Sequence, residues 1–171
     1  MLFRSHVVDT ACAVVKSAEG VEVGTETTWD LVKKYKLPSS VIINKVDNEH
    51  SKFFETFEDV KDKLSTDAIV VTFPVQEGLN FSTIVDLVKM KAYQYGDAGS
   101  RKVTEIEIPA DAKEQADDLR QQLIEKVAES DEELMNKFFE EGTLTEEELT
   151  KGLKTSMVNN AIVPVFALSA T

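Results

Sequence analysis

The first third of the chain alternates apolar runs of strand length with amphipathic helix patterns, and this alternation constrains the fold more than any other feature. Residues 11–15 and 41–43 are continuous apolar runs, as expected of strands buried on both faces of a sheet. Apolar side chains at helical spacing follow each run, over residues 25–37 and 53–64. Another apolar run lies near the end, at residues 162–168. The order strand, helix, strand, helix predicts a parallel α/β sheet.

The middle of the chain follows a different pattern. Residues 68–73 predict a strand, and residues 84–95 and 103–108 predict a long hairpin around a polar turn. Three helices are predicted next, each starting with a polar residue three positions before a glutamate, which is the spacing of a capping box. The pairs are Asp111 and Glu114, Ser130 and Glu133, and Thr145 and Glu148. The sequence therefore predicts a first unit of residues 1–66 and 161–171, with an α+β unit of residues 67–160 inserted into it.

The negative charge is concentrated in this insert. The chain has 31 acidic and 19 basic residues and a net charge of −12. Residues 105–148 contain 16 of the acidic and 4 of the basic side chains, so the rest of the chain is balanced. Such a surface repels a phosphate backbone, and we expect no direct nucleic-acid site there. The excess fits either a protein-interaction surface or a solvated helical face, and the sequence leaves both open.

Composition and the single cysteine narrow the class of protein. Hydrophobic residues make up 42% of the chain and charged residues 29%, as in globular proteins. No apolar run approaches the ~20 residues that span a bilayer, so no membrane partner is expected. Cys12 lies in the first apolar run, and one thiol cannot form a disulfide framework. We therefore expect a reduced, cytoplasmic compartment and a position in the core for Cys12.

One short motif carries chemistry. Asn44, Lys45 and Asp47 form the pattern N-K-x-D directly after the apolar run at 41–43, which is the edge where parallel sheets bind ligands. A carboxylate at position 47 can accept two parallel hydrogen bonds from the N1–H and 2-amino groups of guanine, a donor pair that adenine lacks. The Asn44 amide can bridge the base to neighbouring loops, and the Lys45 stem can cover a face of the base. A polar loop between a strand and a helix is the alternative interpretation.

A second candidate lies at the other end of the chain. Ser169 and Ala170 follow the last apolar run, where a backbone N–H could donate to the O6 atom of guanine. A Ser-Ala pair alone is a very weak motif. It gains weight from its expected place beside N-K-x-D at the end of the neighbouring strand.

These features resemble bacterial elongation factor G over nearly the whole chain. The resemblance rests on the following segments: residues 44–47, 86–93 (DLVKMKAY), 107–109 (EIP), 146–149 (EEEL), 163–165 (VPV) and 169–170 (SA). Residues 20–26 and Asn48 depart from the usual form of that factor, which favours an elongation factor G-like paralogue over the main translocase.

The resemblance implies a fold and a set of roles. The implied fold class is α/β, with part of the parallel sheet of a P-loop GTPase and an inserted α+β subdomain, so that the chain would be the second half of a G domain. Asn44, Lys45 and Asp47 would confer guanine specificity, with Ser169 and Ala170 closing the base pocket. The parent would hydrolyse GTP on the ribosome, in translocation or in ribosome recycling.

The phosphate-binding parts of such a site are missing from the sequence. The pattern G-x-x-x-x-G-K-[ST] does not occur, and no D-x-x-G segment precedes the first apolar run. Phosphoryl transfer depends on positioning the phosphates, Mg²⁺ and the attacking water. We therefore expect a fragment that is inactive alone and has no catalytic residue or metal site. GTP or GDP would be bound by the parent, as would Mg²⁺, whose ligands are not in this chain.

The resemblance also implies partners, namely the ribosome and, through the acidic insert, the mobile stalk protein of the large subunit. Opposite the apolar stripe of the first inserted helix, Asp117, Asp118 and Glu125 are the expected contacts. Two alternatives stay open. One is another ribosomal GTPase, such as a ribosome-protection protein or a peptide release factor. The other is a free-standing acidic interaction module in which N-K-x-D is incidental.

Overall fold

The computed structural model describes residues 8–96 and 103–169, which form eight strands, five helices and a short 3-10 turn at Gly78–Asn80. The strands are β1 (Ala11–Lys16), β2 (Ser39–Asn44), β3 (Ala68–Val70), β4 (Thr72–Pro74), β5 (Thr83–Asp86), β6 (Lys91–Tyr95), β7 (Val103–Ile106) and β8 (Val163–Leu168). The helices are α1 (Val23–Tyr35), α2 (Phe53–Lys63), α3 (Ala110–Ala128), α4 (Glu132–Glu141) and α5 (Glu146–Val158).

Four strands form a parallel sheet in the order β1-β2-β8-β3. β2 pairs with β8 from Val41 opposite Val165 to Asn44 opposite Leu168, so the two strands end at the same edge. α1 packs on β1, and α2 packs on β2 and β3. The predicted α/β fold with a parallel sheet is confirmed.

Strand β3 belongs to a different unit from the one predicted for it. Ala68–Val70 pair in parallel with β8, so β3 belongs to the parallel sheet and not to the insert that was predicted to begin at residue 67. All three residues of β3 are buried, although β3 is the last strand in the sheet order, because α2 and α3 both pack on it. The chain leaves this sheet at Val71, whose N–H donates to the Val165 carbonyl at 2.9 Å and whose carbonyl accepts from Leu87 at 3.0 Å.

The second sheet is antiparallel and has the order β4-β5-β6-β7. The predicted long hairpin is wrong in one respect, because its first arm folds into a hairpin of its own, β5 and β6. The Asp86 carboxylate causes this by accepting from the N–H groups of Val88 at 2.8 Å and Lys89 at 3.1 Å, as turn-forming aspartates do. The predicted turn between β6 and β7 lies largely outside the described residues.

The helices α3, α4 and α5 follow as predicted. α3 buries one stripe that includes Ala116, Leu123 and Val127, and Arg120 donates to the carbonyls of Leu87 and Val88 on the second sheet. α4 has no buried residue, and Phe139 on it is 76% exposed. None of the described helices is long and apolar enough to cross a membrane.

One of the three predicted capping boxes is confirmed. Thr145 and Glu148 bond to each other's backbone at the start of α5. α4 is instead capped by Asp131, which accepts from Glu133 and Leu134, and α3 starts after Pro109 without a side-chain cap. Asp111 lies inside α3 because the proline fixes the helix start earlier.

The first strand corrects two predictions. In β1, exposed side chains alternate with buried or partly buried ones, so the expectation that this strand is buried on both faces is wrong. Val14 is 58% exposed, and Cys12 is exposed and free rather than in the core. An apolar run does not reveal whether other elements cover both faces of its strand, and this difference separates β1 from β3, the buried strand at the other end of the sheet order.

Candidate functional site

The candidate site is the loop of residues 44–52, which connects the end of β2 to the start of α2. The Val46 N–H donates to the Leu168 carbonyl at the end of β8, at 3.3 Å. Asn44 also lies opposite Leu168 in the sheet. Ser169, the residue after Leu168, therefore lies at the same edge of the sheet as the N-K-x-D loop. Ala170 lies outside the described residues. The structure thus brings the two sequence-predicted segments together as far as Ser169.

The loop begins with a tight, strained turn. The Asn44 side-chain oxygen accepts from the Lys45 N–H at 2.8 Å. Lys45 has a φ of +62°, a left-handed conformation that is uncommon for any residue other than glycine. Such strain persists only where the surrounding structure fixes it. The side chain of Lys45 is exposed, so its stem is free to cover a ligand.

Ser17 supplies much of that fixation, and sequence reasoning missed it. Its side chain is buried, and Oγ donates to the Lys45 carbonyl at 2.8 Å. Its N–H donates to the Asn44 carbonyl at 2.9 Å, and its own carbonyl accepts from Thr56 Oγ1 at 2.9 Å. A serine two positions after the first apolar run was the available signal, but its partner lies 28 positions away.

A second support comes from the loop after β4, again unpredicted. The Gly78 N–H donates to the Val46 carbonyl at 2.9 Å. The Glu77 carboxylate accepts from the Ser51 hydroxyl at 2.7 Å and from the Phe53 N–H at 2.6 Å. The start, middle and end of the 44–52 loop are therefore all bonded to other segments.

Asp47 is the exception in this bonded loop. Among the described residues, its Oδ1 atom is the one buried side-chain oxygen or nitrogen without a hydrogen-bond partner. Buried polar atoms are nearly always paired, so an unpaired one requires an explanation. Since water does not reach this oxygen, the carboxylate gains free energy by turning towards a pair of donors. A guanine edge presents such a pair, so the residues present fit that base.

The remaining predicted residues lie elsewhere. Asp117, Asp118 and Glu125 are exposed on α3, as predicted, and they are not part of the 44–52 loop. A cavity of about 320 Å³ lies next to the loop, and its lining includes Ser17, His50 and Asp59. None of the predicted guanine-contacting residues lines this cavity, and its mixed charges favour no single ligand.

Comparison with known proteins gives two results. The family model described as the elongation factor Tu GTP binding domain matches residues 3–171. The crystal structure of a protein from Thermus thermophilus is similar to this chain, with a TM-score of 0.85 and 28% sequence identity, over 96% of this chain and 24% of that one. This chain therefore spans about a quarter of the length of that protein.

Proposed function

The chain belongs to the family of elongation factor Tu GTP-binding domains, and on that premise we propose that it is the guanine-recognising half of the nucleotide site of an elongation factor G-like GTPase. The observation that carries the proposal is the unpaired, buried Oδ1 of Asp47. In this proposal the Asp47 carboxylate accepts from N1–H and the 2-amino group of guanine. The Lys45 stem covers a face of the base, and the backbone at Ser169 and Ala170 donates to O6.

Guanine recognition alone does not supply a GTPase reaction. Hydrolysis requires groups that position the phosphates, Mg²⁺ and water, and the chain lacks the P-loop pattern. In the proposed longer polypeptide, those groups come from another segment, and the activity serves translocation or ribosome recycling. Without phosphate contacts, base contacts alone must offset the entropy of association. We expect the 171-residue chain to hydrolyse no GTP and to bind guanine nucleotides no more tightly than about 1 mM.

The test is base discrimination. Titration of the ¹⁵N-labelled chain with guanosine monophosphate should shift the NMR signals of the 44–52 loop, whereas adenosine monophosphate should not. In the longer polypeptide, Asp47→Ala should weaken GTP binding by about 30- to 1,000-fold, or ~2–4 kcal/mol, and leave ATP binding unchanged. Asp47→Asn is the shape-matched control for the charge. If Asp47→Ala kept the preference for guanine, N-K-x-D would be only a polar loop between a strand and a helix.

For the acidic helices we propose a docking role on the ribosome, with the stalk protein of the large subunit as the partner. The support is the location of the charge, since the whole net charge of −12 lies within residues 105–148. Asp117, Asp118 and Glu125 are exposed on one face of α3. Complementary charge speeds encounter with a basic protein surface, and salt weakens this effect.

Stopped-flow association with the isolated stalk domain tests this role. Asp118→Lys combined with Glu125→Lys should slow association by about tenfold at low salt and by much less at high salt. The matched control is Glu22→Lys with Asp30→Lys, two exposed positions on the parallel-sheet side, where the same charge change should have little effect. Equal slowing in both variants would indicate a net-charge effect, and unchanged rates would leave α3 as a solvated helix.

A further inference from the structure

The 44–52 loop receives support from a sheet to which it does not belong. Ser17 and Leu168, which bond the first half of the loop, are positioned by the parallel sheet, and the Ser17 carbonyl also accepts from the Lys52 N–H at the end of the loop, at 3.1 Å. Glu77 and Gly78 come from the segment that connects β4 to β5, two strands of the antiparallel sheet. The loop is therefore bonded from both sheets, and both reach its middle, where the Val46 N–H donates to Leu168 and the Val46 carbonyl accepts from Gly78.

Gly78 bonds the residue directly before Asp47. Its N–H donates to the Val46 carbonyl at 2.9 Å, and both Gly78 and Val46 are buried. Gly78 has a φ of +75°, and a Cβ placed on it would lie 3.5 Å from the Asn48 carbonyl oxygen. The glycine thus combines a left-handed backbone, which a side chain would strain, with a hydrogen bond to the residue before Asp47, and a Cβ on it would be in van der Waals contact with the residue after Asp47.

Glu77 fixes the other end of the loop. The residue that precedes α2, Lys52, makes no side-chain cap, so the first N–H groups of the helix need an acceptor from elsewhere. Glu77 provides it by accepting from the Phe53 N–H at 2.6 Å and from the Ser51 hydroxyl at 2.7 Å. A carboxylate at a helix N-terminus is also favoured by the helix dipole.

The antiparallel sheet reaches the second segment of the base site as well. Thr72 on β4 accepts, through Oγ1, a hydrogen bond of 3.0 Å from the Ala167 N–H on β8. Ala167 lies two residues before Ser169. The same sheet therefore bonds the backbone next to both candidate base-contacting segments, at Val46 and at Ala167.

We infer that Glu77 and Gly78 are positioning residues for base recognition, so that the guanine preference of the 44–52 loop depends on the antiparallel sheet. This inference rests on the proposed guanine site. Neither residue needs to touch the nucleotide, because Gly78 acts on the loop backbone at Val46, next to Asp47, and Glu77 acts on Ser51 and Phe53 at the end of the loop. A change in the antiparallel sheet would thereby alter guanine affinity without changing any residue that contacts the base.

The experiment compares two carboxylates that cap helices. Glu77→Ala removes the cap of α2, and Asp131→Ala removes the cap of α4, where Asp131 likewise accepts from two backbone N–H groups. Each variant of the full chain is titrated with guanosine monophosphate and, separately, with adenosine monophosphate, and the NMR shifts of the 44–52 loop are followed. Glu77→Ala should reduce the guanosine response about three- to tenfold, with faster exchange of the Val46 amide. Asp131→Ala should leave the guanosine response and the exchange rate of the Val46 amide unchanged. Glu77→Gln keeps an acceptor oxygen and should restore most of the guanosine response.

A second pair of variants tests Gly78 by itself. Gly78→Ala and Gly142→Ala both place a side chain at a positive φ, +75° and +72°, but a Cβ at Gly142 has nothing within 4 Å. Only Gly78→Ala should weaken the guanosine response.

The possible outcomes separate the two proposals. If the wild-type chain responds equally to both nucleotides, the guanine site is wrong and the inference fails with it. If the wild type prefers guanosine but Glu77→Ala matches Asp131→Ala, and Gly78→Ala matches Gly142→Ala, the guanine site stands and the positioning role is overturned.

Discussion

The 44–52 loop and helix α4 show that regular secondary structure and tertiary fixation are separate properties. After Asn44, the last residue of β2, the loop has no helix or strand, yet its backbone bonds to Ser17, Leu168 and Gly78, and the Ser51 hydroxyl bonds to Glu77. α4 is a regular helix with an aspartate cap at its start, but none of its residues is buried. A binding site for a flat base requires fixed backbone, whereas a surface for a mobile partner does not.

The same contrast separates the two parts of the molecule. The parallel sheet and its helices hold buried side chains such as Val41, Ile43 and Phe53, all with no exposed surface, and they lie outside the strongly acidic residues 105–148. Residues 105–148, which include α3, α4 and the start of α5, carry the whole negative excess, and Phe139 among them lies in solvent. Substitutions of the same chemical kind should therefore have different effects in the two parts.

The largest expected difference is between two phenylalanines. Phe53 is fully buried at the start of α2 and packs edge-on against the Phe54 ring, with ring centroids 5.1 Å apart. Phe53→Ala should lower the free energy of unfolding by about 3–5 kcal/mol through lost burial and the cavity left behind. Phe139→Ala should change it by no more than about 0.5 kcal/mol. Urea denaturation followed by circular dichroism measures both, and similar losses would mean that α4 is packed more firmly than its exposure indicates.

Two helical glycines, one in each part of the molecule, allow a second comparison with smaller expected changes in stability. They also show where the acidic part is tightly packed. A Cβ at Gly152 in α5 would lie 2.5 Å from Leu134 Cδ1 and 2.6 Å from Val127 Cγ1. Gly152→Ala should therefore destabilise the chain by about 1–3 kcal/mol through overpacking. A Cβ at Gly24 in α1 has nothing within 4 Å, and Gly24→Ala should stabilise it by roughly 0.5 kcal/mol.

Thermal unfolding of the two glycine variants shows directly whether each substitution raises or lowers the stability of the chain. A stabilising effect of Gly152→Ala would show that α4 moves away from α5 at little cost. In that case the contact between the later helices would be as loose as the exposure of α4 suggests.

Local patterns predicted the elements of the fold well. The apolar runs located β1, β2 and β8, and helical spacing located α1 and α2, because a strand or helix must place its apolar side chains on the side that faces the core. The stripe of α3 predicted which of its residues are exposed, and Asp117, Asp118 and Glu125 are indeed in solvent. These inferences needed only neighbours in sequence.

Pairings between distant segments were not predictable in this way. Cys12 was placed in the core because an apolar run does not show whether both faces of its strand are covered. Ser17, Glu77 and Gly78 were missed because each supports the 44–52 loop from at least 24 positions away in the sequence. The position of N-K-x-D after β2 follows from the sequence, whereas its guanine-binding role stays a prediction.

The smallest expected effect concerns the ionic contact that ties α4 to α5. Lys137 on α4 contacts Glu148, and Thr145 donates to the same carboxylate at 2.9 Å through its hydroxyl and at 3.2 Å through its N–H. The hydrogen bond from Lys137 contributes most to lowering the pKa of Glu148 from 4.5 to about 2, and the two hydrogen bonds from Thr145 contribute next. A carboxylate with a lowered pKa adds stability that is complete above its unfolded pKa and disappears as the pH falls towards the folded one. The chain should therefore lose this contribution between about pH 4.5 and pH 2.

Glu148→Gln should flatten that part of the pH dependence, because the variant has no carboxylate to protonate. Glu147→Gln, in the same turn and exposed, removes one negative charge without touching the contact and serves as the control. Urea midpoints measured across the acid range should fall less steeply for Glu148→Gln than for the wild type or for Glu147→Gln. The difference should be modest, since both partners of the ion pair are open to solvent and screened by salt. Parallel acid profiles for all three proteins would show that the exposed contact does not fix α4, and α4 would then differ from the 44–52 loop even more than its exposure indicates.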